Sequence, residues 1–542
     1  MMTTIVRSGR RPSDADCGTS MSDLPMKVTM SQNTSGHTLG RRRLLQLAGG
    51  VTAGAGAMAL TGGTLVLGAG AAQAADGAFV HPGMLHTQAD FDRMAVKVRA
   101  ASSPWKPGFD KLAANAHAQS SWKANPQATV YRGTGTPENY ATLYEDIHAA
   151  YQNALRWKIT GDTAHADTAR DILNAWSGKL TKVTGTADAF IAAGIYGYQF
   201  ANAAEVMRGY PGFDLDRFKS MMLTVFYPLN TAFLTKHNNA FITNYWGSWD
   251  LLSVASVLAI GILCDDRAKV DEAVTYFKSG AGNGSIKHLI PVVHPGGLGQ
   301  WIEVGRDQGH SLLGVGLAGD ICEMAWNQGI DLYGYDDSLF LKGAEYMAKW
   351  NLGQDVPYTS YTWKYGAPGV WSGQQTLTAA STDSRGQARP VWEMLYNHYV
   401  NRRGLAAPYV SAIAAKGRPE GGGGDYGSGG GYDSLGFGTL SYTRERVAVV
   451  ASGGSTGTGP ATSAPAAASA SATAASSEAT ATAPAVVPSA SGAPSVPATG
   501  RALASTGTAD SIGYAAGAGV IAVAVGGVLA LRGRRSRNSH RA

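Results

Sequence analysis

The chain has 542 residues, 44% hydrophobic and 15% charged, with 70 glycines, 3 cysteines and a formal net charge of +6. The hydrophobic fraction excludes a wholly disordered protein, the missing Gly-X-Y period excludes collagen, and three cysteines exclude a disulfide scaffold. The positive charge sits at the ends: the segment through Ala74 carries seven Lys+Arg against three Asp+Glu, and the tail after Thr506 five against one. The remainder is therefore near −2, and no nucleic-acid partner is implied.

In chain order, residues 1–74 come first. After an aperiodic start, in which Met21, Met26 and Met30 are alternative first residues, comes Arg41-Arg42-Arg43-Leu44-Leu45. An Ala/Gly/Leu run and Ala72-Gln73-Ala74 follow. Charged head, apolar run and small-x-small end are the anatomy of an export signal. The arginine pair with two leucines resembles a twin-arginine signal, which implies the twin-arginine export machinery as a partner.

Residues 75–452 read as one large helical domain. Leu143, Ile147, Tyr151 and Leu155 recur every fourth residue, Thr160-Gly161-Asp162 interrupts, and 166–176 begins a second helix. Further helices are predicted at 187–209, 214–229, 246–264, 269–277, 309–327, 338–351 and 391–402, with no sustained strand alternation before 355. The expectation is all-α: an incomplete toroid of about six or seven helical hairpins, expected to act as a monomer. Gly421–Gly424 begins a glycine-rich surface loop that lacks the Lys-Ser/Thr of a phosphate-binding loop. Cys264 and Cys322 could pair, or each could be a buried free thiol.

The segment 453–502 is Ala, Ser, Thr, Pro, Val and Gly with almost no charge, and reads as an extended linker. The segment 503–542 opens Leu503-Ala504-Ser505-Thr506-Gly507, continues as an uncharged run over 512–531, long enough to span a bilayer as a helix, and ends in arginines. This order resembles a sortase sorting signal, which implies cleavage between Thr506 and Gly507, sortase and peptidoglycan as partners, and an extracellular, cell-wall-anchored protein held by the membrane before processing.

The densest chemical signal is Gln300-Trp301-Ile302-Glu303-Val304-Gly305-Arg306-Asp307-Gln308-Gly309-His310, directly before an apolar helix. With a helix start near Arg306, Arg306 and His310 share a face at i, i+4, and the free N–H groups there favour a bound carboxylate. A capped helix with a surface ion pair would account for the charges but not for Trp301, Gln308 and His310. A second cluster runs His237-Asn238-Asn239-Ala240-Phe241-Ile242-Thr243-Asn244-Tyr245-Trp246-Gly247-Ser248-Trp249-Asp250. No strong metal site is apparent, and Asp265-Asp266 and Asp336-Asp337 read as helix-end or turn residues.

The Gly-Arg-Asp-Gln-Gly-His block resembles the alginate-lyase-like superfamily of polysaccharide lyases. Asn351-Leu352-Gly353, Arg389-Pro390-Val391-Trp392-Glu393 and Tyr396-Asn397-His398-Tyr399 extend the likeness. The resemblance implies an α/α toroid that cleaves an anionic uronate polysaccharide, such as alginate or glucuronan, by β-elimination to 4,5-unsaturated products without a cofactor. Such chemistry needs donors that neutralise the uronate carboxylate, a base for the C5 proton and an acid for the departing O4. His310 is the candidate base or neutraliser, and Arg306 can lower the pKa of a tyrosine. Tyr358, Tyr361, Tyr365, Tyr245 and Tyr396 compete for the tyrosine, with Tyr365 chosen for its flanking Lys364 and Gly366. Asn244, then Asn239, are the candidate neutralisers; the Asn-Asn-His order usual in such lyases is absent. Trp246, Trp301, Glu303, Gln308, Arg389 and Asn397 complete the expected substrate-binding set. Two other readings stand beside this one: an α/α glycoside hydrolase using Glu303 and Asp307 as paired carboxylates, and a non-catalytic glycan-binding protein displayed on the wall.

Overall fold

The structure is a computed structural model that describes residues 78–133, 138–369, 371–424 and 432–447. These lie in the second of two units into which the chain divides, Met1–Leu65 and Val66–Ala542. The expected export segment 1–74, the linker 453–502, Thr506 and Gly507, and the apolar span 512–531 lie outside the described residues. Among the described residues no helix is long and apolar enough to cross a membrane.

Helices follow one another in hairpins. Helix α1 (Gln88–Arg99) opens with a capping box, in which Thr87 and Asp90 each accept the other's backbone N–H. Helix α2 (Trp105–Ala114) returns from it. Helix α3 (Tyr140–Thr160) stops at Gly161, which is left-handed, and Asp162 caps α4 (Thr163–Ser177) by accepting the Ala164 N–H at 3.0 Å. The Thr-Gly-Asp break is thus the predicted hairpin turn. Helices α5 (Asp188–Val206), α6 (Leu215–Met221), α7 (Tyr227–Lys236), α8 (Gly247–Leu263), α9 (Arg267–Ser279) and α10 (Ile286–Leu289) follow. Then come α11 (Gln308–Asn327), α12 (Tyr335–Asn351), α13 (Trp392–Tyr396), α14 (Pro408–Gly417) and α15 (Gly438–Tyr442).

Helices α3, α5, α8 and α11 pack side by side in chain order, backed by α4, α7, α9 and α12. Every residue of α8 is buried, as its unbroken run of Leu, Val, Ala, Ile and Ser requires of a helix enclosed on all sides. Gly194 lets α5 approach α8 closely: a Cβ there would lie 2.0 Å from Leu252 Cδ1. Val391 and Met394 pack on Gly316 and Gly319 of α11, α15 bridges α13 to α1 and α2, and α1 packs on α3. The described domain is the all-α toroid of helical hairpins that the sequence predicted.

Several details differ. The predicted helix 214–229 is α6 and α7 joined by a wide turn, Met222–Phe226, just before Pro228, which has no N–H to give. Three two-stranded sheets decorate the helices. Strand β1 (Thr129–Arg132) pairs in parallel with β2 (Lys182–Gly185), and β3 (Val292–His294) pairs antiparallel with β4 (Leu298–Gln300). These strands are too short to show a two-residue period. The third, β5 (Tyr361–Ala367) against β6 (Trp371–Leu377), is a hairpin in which Tyr365 faces Gly373. Cys264 and Cys322 are both free thiols.

Candidate active site

Helix α11 begins at Gln308, one residue before the predicted 309–327 and two after the start near Arg306 on which the shared face was argued. Asp307 is its N-cap and accepts the His310 N–H at 2.7 Å, because an aspartate closes a free helix end better than Arg306 could. Its other carboxylate oxygen lies 2.7 Å from His310 Nδ1, which fixes the ring. Arg306 is therefore outside the helix, yet its Nη2 still reaches His310 Nε2 at 3.2 Å. Burial pushes His310 below its ordinary value; the Asp307 bond opposes this and Arg306 adds to it. The ring is a neutral base at ordinary pH. Burial pushes Asp307 up, but the His310 bond and the charges of His310 and Arg306 outweigh it and hold the carboxyl low.

Glu303, in the turn Ile302–Gly305, is wholly buried where this segment meets the first turn of α8. Ser248 donates to Glu303 Oε1 at 3.0 Å, and Arg306 Nη1 lies 3.5 Å from the same oxygen. Glu303 Oε2 is buried without a hydrogen-bond partner. Burial raises this carboxyl to about 7 against the pull of Arg306 and Ser248. Arg306 also lies 3.4 Å from Asp307 and stands over the Trp246 ring at 5.6 Å.

Asn244 lies in the loop that leads into α8. Its side-chain oxygen accepts the Gly366 N–H of β5 at 2.5 Å, while its amide nitrogen is buried with no partner. That is an oriented donor two residues from the tryptophan that carries Arg306. The loop is anchored at its start by His237, which sits in a left-handed turn and binds Asp250 of α8 at 2.8 Å and Tyr276 of α9 at 3.0 Å. Asn239, the second candidate, is exposed in the same left-handed turn.

Strand β5 brings its tyrosines differently from expectation. Tyr361, Trp363 and Tyr365 alternate onto one face. Tyr361 stacks on Trp363, and both rings lie against Trp246, at 6.2 and 4.6 Å. Its hydroxyl is 3.4 Å from Asn283 Oδ1; burial raises it to about 12, with Asn283 lowering it and Glu303 adding to the rise. The ring of Tyr365, the tyrosine chosen from sequence, lies across Gly373 of β6, where a Cβ would come within 2.4 Å of its hydroxyl. The tyrosine that lies against Trp246, and whose ionisation the charge of Glu303 opposes, is Tyr361. Its rank depends on strand register, which the sequence does not display.

Other expected substrate contacts are structural. Trp301 is fully buried, packed on Gly314 and Gly343. Gln308 is saturated: its amide donates to the Val304 and Ser381 carbonyls, and its oxygen accepts from Asn351. Asn397 is buried among Glu393, Asn401 and the Arg444 N–H. These polar side chains satisfy backbone groups in the core. Arg389 is buried in an ion pair with Asp433 at 3.1 Å, and its charge adds slightly to the lowering of His310. Arg389 also lines a cavity of about 250 Å³, together with Lys111, Trp392, Lys416 and Glu420. The hydrolase arrangement does not hold: Asp307 is committed to His310, and Glu303 is buried against the same Arg306. Among the described residues no His/Cys/Asp/Glu cluster could hold a metal ion.

Among curated proteins none matches the chain. Solved structures align at low similarity. An alginate lyase from Bacteroides ovatus shares 15% identity over 49% of this chain and 83% of that one, at a TM-score of 0.35. Alginate lyase A1-III from Sphingomonas species A1 shares 14% over 66% and 95%, at 0.39. A variant of alginate lyase A1-III complexed with tetrasaccharide shares 15% over 66% and 95%, at 0.41. Residues 97–356 match the family model described as alginate lyase, a segment that contains Asn244, Glu303, Arg306, Asp307 and His310. On that match the chain is an enzyme, a polysaccharide lyase.

Proposed function

We propose that the enzyme cleaves a uronic-acid polysaccharide, alginate or a glucuronan-like polymer, by β-elimination. The observation that carries this reading is the joining of a neutral, Asp307-oriented His310 to an Arg306 able to meet a carboxylate. The Asn244 amide and Arg306 take the uronate carboxylate, which makes the C5 proton acidic enough to remove. Arg306 leaves His310 Nε2 as it does so, and Nε2 takes the C5 proton. The electron pair forms the C4=C5 double bond, the C4–O4 bond breaks, and Tyr361 gives O4 its proton. His310 returns a proton to Tyr361 through solvent before the next turn. The domain 75–452, assayed on alginate, glucuronan and hyaluronan, is expected to release a conjugated 4,5-unsaturated uronate, read by its ultraviolet absorbance. Hydrolysis products without that absorbance would refute the reading.

The ends of the chain support a location. The paired arginines before an apolar run and the Leu-Ala-Ser-Thr-Gly pentapeptide at 503–507 fit twin-arginine export followed by sortase attachment to peptidoglycan. Activity then fractionates with the cell wall and is released from it in a Thr506→Ala strain.

A further inference from the structure

Around Arg306 the charges do not balance once a substrate arrives. Two carboxylates, Glu303 and Asp307, already stand within ion-pair range of this guanidinium, at 3.5 and 3.4 Å. The other groups facing the pair can be named from each element. Along the same segment His310 is neutral and bound to Asp307. From α8 Ser248 donates a neutral hydroxyl, and Trp246, just before that helix, presents its ring to Arg306. Strand β5 contributes Tyr361, which is neutral below about 12. Arg389, whose charge reaches His310, is ion-paired with Asp433. A uronate carboxylate on Arg306 would make three carboxylates around one guanidinium in a largely buried place, a costly arrangement unless one of them is protonated.

We propose that Glu303 takes up a proton when the substrate carboxylate binds Arg306, so that substrate binding and protonation are one event. Glu303 Oε2, buried and without a hydrogen-bond partner, is the atom that receives it. Asp307 is the poorer acceptor, because one oxygen caps α11 and the other holds His310. With Glu303 neutral, its hold on Arg306 is lost and the guanidinium turns to the substrate. The ionisation of Glu303 near 7 sets the window in which this coupling is visible. The inference rests on the reading of the site as a uronate site.

The test is calorimetry of the intact enzyme with D-glucuronate, D-mannuronate and L-guluronate, single sugars with no glycosidic bond to expel. Each titration is run in two buffers of different protonation enthalpy. Near pH 8 the heats are expected to differ between buffers by about one proton taken up per sugar, and the difference vanishes near pH 5.5, where Glu303 is already protonated. Wild-type affinity then falls about tenfold per pH unit above 7. Glu303→Gln, which keeps the oxygen that accepts from Ser248, is expected to bind with no uptake and with flat affinity. Binding without buffer-dependent heat in the wild type overturns the inference, as does uptake that persists in Glu303→Gln, which would make His310 the acceptor. The wild-type heats alone decide the first point, should the variant fold poorly. Absence of binding by all three sugars, with no unsaturated product from polymers, removes the uronate reading itself; unsaturated product without proton uptake removes only the inference.

Discussion

Asp307 holds His310 twice, accepting its backbone N–H at 2.7 Å with one oxygen and lying 2.7 Å from its ring Nδ1 with the other. One side chain thus starts helix α11 and sets the tautomer that leaves Nε2 as the base.

Replacing Asp307 by Asn separates these two duties. An asparagine caps a helix about as well, so the melting temperature should move by only a few degrees. Turnover is expected to fall about 10²-fold or more, because the ring loses its anionic orienter. The Asp307 bond raises the pKa of His310, so its loss moves the acid limb of the rate profile to lower pH. In the wild type that limb lies below 6.5, since a lowered pKa keeps the base unprotonated further into acid. Rate–pH profiles of both proteins check this.

Asn244→Asp keeps an oxygen for the Gly366 N–H but puts an acceptor where the unpartnered amide nitrogen stands. The expected result is a folded protein with kcat/KM lower by about 10²–10³, the scale of losing one preorganised donor. Steady-state kinetics with circular dichroism of the same preparation separate the two effects.

Tyr361→Phe and Tyr365→Phe discriminate between the tyrosines. Loss of the proton donor at 361 is expected to cost about 10²-fold or more in kcat. The 365 variant should stay within about threefold, since its ring packs on Gly373. The reverse order would return the role to Tyr365.

Glu420 gives a stability prediction away from the chemistry. Its Oε1 accepts the Trp392 and Glu393 N–H groups at the start of α13, and burial, then the charge of Glu393, raises it to about 8. An unfolded glutamate ionises near 4.5. The folded state therefore holds a proton that the unfolded state releases, and stability declines as pH rises from about 4.5 to 8. Glu420→Gln removes Glu420's own share of that decline, up to ~4 kcal/mol at pH 8. Urea melts at pH 5, 6.5 and 8 would show parallel wild-type and variant stabilities if the account is wrong.

What the sequence displayed was local chemistry. The run Glu303–His310 is contiguous, so its grouping survives any error in helix phase: Arg306 lies outside α11 and still reaches His310. Asn244 was singled out through its tryptophan neighbours, and the structure adds its buried, unpartnered amide. Burial was not: Trp301 and Gln308 belong to the same dense run, yet they fill the core behind it. Nor was the choice among Tyr358, Tyr361 and Tyr365, which turns on the alternation and hairpin register of β5. Helices α1, α2 and α14 escaped notice because they are short and each buries only two or three apolar positions, too few to display a period.

The last described stretch is stapled to the first helix. Arg93 donates to the Ser441 carbonyl at 2.9 Å, Arg444 pairs with Asp90 at 2.9 Å and Lys97 with Glu445 at 2.6 Å. Val447 N–H also donates to the Asn401 carbonyl at 2.9 Å and Arg444 N–H to Asn397, so a pull applied to the chain beyond 447 is shared between the 397–401 segment and α1. Helix α11 meets that load only at Glu323, 3.6 Å from Arg444 and far along the helix from His310. An enzyme tugged by its C-terminal end in flowing medium would keep its catalytic geometry until these anchors give way together.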